Sequence, residues 1–169
     1  WERGGFLASN WDSESADSLT VVAISKKNEF RPQGTPIILD EPQKFMQDTP
    51  TTCWSPALLS WLCATINQTR FQFPSDLVDF LRPKKCSDGR PVLNTDDSLR
   101  DVGASGLYLW SEVISNIIRE CNSPQTIESS RLQAKDLTYE RLSNWIVARK
   151  YVLIGEIASD IWKHAYVVY

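Results

Sequence analysis

A single histidine, a single methionine and no run of apolar residues near the ~20 that span a bilayer mark this 169-residue chain by what it has little of. No transmembrane helix is expected, so a membrane partner is not either. No signal peptide is visible. The chain opens on Trp1, as expected of a processed or trimmed form. There is no basic block. Lys and Arg number 18 against 21 Asp and Glu, a net charge of −3, which argues against nucleic acid as the partner. The four cysteines, at 53, 63, 86 and 121, have no CxxC spacing, so a zinc site is not expected. Asp96, Asp97 and Asp101 cluster without the ligand spacing or closing Glu of a calcium loop. No Gly-rich phosphate loop, basic-aromatic stripe, catalytic carboxylate pair or internal repeat is present. No metal and no cofactor are therefore expected.

What is there describes one globular domain. The length suits a single core, and 42% hydrophobic with 23% charged residues is ordinary for a folded protein. Seven tryptophans are many for this length and belong in a core or a groove wall. The stretch with chemical content is Gln47-Asp48-Thr49-Pro50-Thr51-Thr52-Cys53-Trp54-Ser55-Pro56. Beyond it, Ala57, Leu58, Trp61, Leu62, Thr65 and Ile66 recur at spacings of three and four, which predicts a helix over 54–67. Thr51 or Thr52 can cap it, and Pro56 fits its first turn. Cys53 then sits at a helix N-terminus, where free amides and the helix dipole favour the thiolate, the reactive form of cysteine. A thiolate that attacks a carbonyl needs a base, and imidazole is the usual one. With one histidine in the chain, His164 has no competitor.

Gln47 lies six positions before Cys53, Trp54 follows the thiol directly, and His164 opens the alternating run His164-Ala165-Tyr166-Val167-Val168-Tyr169. This pattern resembles the papain-like cysteine peptidases, and within them the compact bacterial effector and toxin peptidases. The resemblance rests on about ten positions within 37–62 and 151–169. It implies Cys53 as nucleophile, His164 as general base and Gln47 as an oxyanion donor beside the Cys53 amide. It also implies Trp54 next to the thiol, packed behind it or bordering the substrate. The expected activity is cleavage of a peptide or isopeptide bond through an acyl-enzyme. Transglutaminase-like acyl transfer, deamidation, and an inactive papain-like binding module are the alternatives. The implied partners are a polypeptide substrate and an inhibitor or immunity protein. The implied location is secreted, with the cytoplasm as alternative, since the cysteines themselves favour a reducing interior. Papain-like sites also carry an Asn or Asp after the His, and no residue here matches that third position.

Taken in order, 1–34 reads as an N-terminal arm or lead-in with a short strand at 19–24, and 35–169 as the papain-like domain. A second strand is expected at 36–39 and a helix at 76–81 capped by Ser75. A turn-rich loop should follow at 83–91 and a long connection at 92–106. A helix is predicted over 111–121, a polar loop over 123–136, and a helix from the Thr138 cap to about 149. A buried strand at 151–157 should pair antiparallel with the strand at 164–169. Cys63 and Cys121 read as buried small hydrophobes and Cys86 as the thiol freest to oxidise. Asn67-Gln68-Thr69 matches a glycosylation sequon. The fold class is α+β, a helical half bearing the Cys helix and an antiparallel β half bearing the His strand.

Overall fold

A computed structural model describes residues 18–24, 40–46, 54–85, 87, 89, 91–93, 107–149, 151–158 and 161–169. The chain is mixed α+β. In order the described residues form β1 (Ser18–Ile24), α1 (Trp54–Ile66), α2 (Pro74–Leu81), α3 (Leu107–Glu120), β2 (Ile127–Leu132), a 3-10 turn (Ala134–Asp136), α4 (Tyr139–Arg149), β3 (Val152–Ala158) and β4 (Ile161–Val168). The four strands make one antiparallel sheet in the order β2-β1-β3-β4. Among the described residues no helix is long and apolar enough to cross a membrane.

Helices cover both faces of this sheet, and the strand sequences show why. In β3 the run Val152, Leu153, Ile154 and Gly155 is buried throughout. Alternate positions on a strand face opposite ways, so a continuous apolar run needs cover on both sides. On one face Val22, Leu153 and Ala165 join the main core with Leu58, Trp61 and Leu62 of α1, Leu77 of α2 and Ile114 and Ile117 of α3. On the other, Val21, Val152, Ile154 and Val168 pack with Leu132 and with Leu142, Trp145 and Ile146 of α4. α1 lies along β3 and β4, and the Trp61 indole donates to the Tyr151 carbonyl at 3.2 Å, pinning the helix to the sheet.

The helix ends follow local chemistry. The predicted helices at 54–67 and 138–149 appear as α1 and α4. Thr138 Oγ1 accepts from the Arg141 amide at 3.2 Å, capping α4 as its position suggested. The cap of α2 is not Ser75. Phe73 is the N-cap residue, Pro74 opens the helix, and the Asp76 carboxylate accepts from the Gln72 and Phe73 amides at 2.8 and 2.9 Å. α1 and α3 are each followed by an asparagine at positive φ, Asn67 at 49° and Asn122 at 53°, a backbone state asparagine tolerates at helix ends.

The short strand expected at 19–24 appears as β1, an interior strand hydrogen-bonded to β2 and β3. Two expectations change. The polar stretch 123–136 is not all loop, since Ile127–Leu132 is an edge strand. Its Ile127 packs against the main core and its Leu132 in the α4 layer, with only polar residues between them, so its sequence lacks an apolar run. α3 begins one turn earlier than the apolar spacing indicates. The strand expected at 36–39 lies outside the described residues.

Candidate functional site

α1 begins at Trp54, the residue directly after Cys53. Trp54 is 2% exposed and belongs to the main core. It therefore anchors the first turn of α1 from beneath. Ser55, in the same turn, is buried as well.

Upstream, the chain approaches from 40–46. Phe45 packs against the main core, Pro42 is buried, and Met46 stands 84% exposed. Phe45 and Trp54, on either side of 47–53, both pack in the main core. Gln47 and Cys53 themselves lie outside the described residues.

The approach segment is fastened to the ends of β3 and β4. The Tyr151 hydroxyl donates to the Asp40 carbonyl at 3.0 Å, and the Tyr169 hydroxyl donates to Glu41 Oε1 at 3.3 Å. Glu41 also pairs with Lys44 at 2.5 Å. That hydrogen bond and charge hold the Glu41 carboxyl below its usual range and the Lys44 ammonium above its own. Burial raises both tyrosine hydroxyls, with the Asp40 and Glu41 carboxylates acting the same way.

His164 is a β4 position, and the register pairs it with Glu156 on β3. The predicted hairpin is present, and only residues 159 and 160 separate its strands. Between the pairs Glu156–His164 and Ile157–Trp162 the register shifts by one residue, a bulge that bends β4 just before position 164. From there the alternation runs unbroken, so position 164 is in phase with 166 and 168. Val168 packs in the α4 layer, whereas Ala165 and Val167 pack in the α1 layer.

No residue after the histidine matches a third catalytic position. The register pairs position 164 with an acidic residue, Glu156, on the preceding strand, a pairing that counting back across a tight hairpin finds. Among the described residues no group of three His, Cys, Asp or Glu is arranged to hold a metal.

No protein-family model matches the chain, and neither does any curated protein or solved structure.

Proposed function

We propose that the chain is a thiol-dependent hydrolase of papain-like type, cleaving a peptide or isopeptide bond. Cys53 attacks the carbonyl, His164 takes the thiol proton and later protonates the leaving amine, and Gln47 with the Cys53 amide holds the oxyanion. The observation that carries the reading is the position of α1. It opens one residue after Cys53 and packs on the hairpin whose second strand bears His164. We assign the orienting role of the usual downstream Asn or Asp to Glu156, which pairs with His164 in register. In this reading the substrate is a polypeptide, and the protein acts as a secreted effector or toxin domain.

The phase of β4 favours a second reading. Position 164 shares its alternation with Val168, on the α4 side, while α1 packs on the other face. Catalysis then requires the two groups to meet around the bulged start of β4. Without that meeting, the same fold serves as a papain-like binding module with an idle thiol.

Thiol labelling separates the two. The folded chain is treated with limiting iodoacetamide from about pH 5 to 9 and the alkylated cysteines are mapped by mass spectrometry. The hydrolase reading expects Cys53 to react first, well below the ~8.5 of a free thiol, and His164→Ala to slow it about tenfold or more at pH 6. Cys53 labelling no faster than Cys63, with or without His164, is the result of the binding module. Given a reactive thiol, masses of products from a peptide library distinguish hydrolysis from transfer and deamidation.

A further inference from the structure

We propose that Cys63 and Cys121 form a reversible disulfide that ties α1 to α3. Both are free thiols here, and both are half-buried against the main core. The ends of two helices bring them to one place. Cys63 lies in the last turn of α1, and Cys121 directly follows the last residue of α3. Between them runs the turn after α1. Gln68 Nε2 donates to Cys63 Sγ at 3.2 Å and to the Phe71 carbonyl at 2.9 Å, and Gln68 Oε1 accepts from the Phe71 amide at 2.9 Å. Arg70, in that same turn, binds Glu120 at 2.6 Å, and Glu120 is the neighbour of Cys121. One short turn therefore grips Cys63 at one side and the residue beside Cys121 at the other.

The electrostatics agree with this placement. Burial pushes the Cys121 thiol up to about 11, and the Glu120 carboxylate and the Cys63 sulfur push the same way while Arg70 opposes them. Cys121 keeps its proton well above neutral pH.

With a small-molecule disulfide such as oxidised glutathione as oxidant, the exchange balances. The Cys63 thiolate attacks one glutathione sulfur, the glutathione disulfide breaks, and one glutathione thiolate leaves. The Cys121 sulfur gives its proton to solvent and attacks the Cys63 sulfur, and the second glutathione thiolate leaves. The protein thiols lose two electrons and two protons, and oxidised glutathione becomes two reduced molecules. The bond closes a long loop between α1 and α3 and stiffens the helix that follows Cys53. It uses neither Cys53 nor His164, so it stands independently of the hydrolase reading.

The test is a non-reducing peptide map of the folded full chain after incubation with oxidised glutathione at about pH 8, with free thiols alkylated before digestion. The expected product is a peptide pair linked Cys63–Cys121. It should come with a rise in Tm of about 5–10 °C that dithiothreitol reverses. Cys63→Ser and Cys121→Ser should each abolish the rise. The map of the unaltered chain decides the matter even where a variant fails to fold. Stable glutathione adducts on both cysteines without the link, a dominant link to Cys53 or Cys86, or thiols that stay reduced would each overturn the proposal.

Discussion

Gln68 shows how one polar side chain organises a turn. It is 8% exposed, and its amide bonds the Phe71 amide, the Phe71 carbonyl and the Cys63 sulfur. Truncating it leaves two buried backbone groups at Phe71 without their partner, and each such group costs about 1–3 kcal/mol. Gln68→Ala should therefore lower unfolding stability by about 2–4 kcal/mol in a urea titration, far more than a surface glutamine would. The same turn contains Asn67 and Thr69 of the glycosylation sequon, both exposed. The motif and the buried glutamine between them answer to different constraints. Cys63, expected as a buried small hydrophobe, is half-buried against the main core. Nothing local marked Gln68 as buried, because its partners are backbone groups that only the turn brings within reach.

At the scale of elements, β1 matters most for what it displaces in the sequence reading. A short apolar run inside a polar leader looks peripheral, since no pattern along the chain names its partners. Its place is between β2 and β3, with Val22 buried in the main core and Val21 in the α4 layer. Removing residues 1–24 deletes an interior strand and separates β2 from the sheet. The shortened chain should lose its cooperative thermal transition and its near-ultraviolet dichroism, whereas removing 1–17 leaves β1 in place. α4 shows the opposite case. Its Thr138 cap and its apolar spacing are both local features, and the helix forms where they predict it. The β3–β4 hairpin lies between these extremes. Its two apolar runs were legible, while the bulge next to Glu156 and the pairing of Glu156 with His164 follow from the register.

For the whole molecule, the shifted groups predict weakness in alkali. Cys121, Tyr151 and Tyr169 all release their protons later when folded, chiefly because burial disfavours the anion. Lys44 also holds its proton longer, through Glu41. Over that range the folded chain binds more protons than the unfolded chain, so stability falls as pH rises. The loss begins near the ordinary thiol value of 9.0 and continues through about 11, where folded Cys121 titrates. Urea midpoints should be flat between about pH 7 and 8.5 and drop steadily at 9.5 and 10.5. Cys121→Ser should shallow that decline without moving the neutral-pH plateau by more than a small amount. A midpoint that rises with pH in this range would contradict the burial of these groups.

The linear sequence determined the helices with strong apolar spacing, the Thr138 cap and the antiparallel pairing of the last two strands. These depend on neighbours within a few residues, where spacing and capping act directly. The tertiary structure alone decided that β1 is interior, that 127–132 is a strand, that Trp54 is core, and that Cys63 and Cys121 flank one turn. It also decided that position 164 alternates with the α4 side of the sheet. Each of these depends on which distant segments share a face, and a chain carries that information only once its apolar surfaces have been paired and buried.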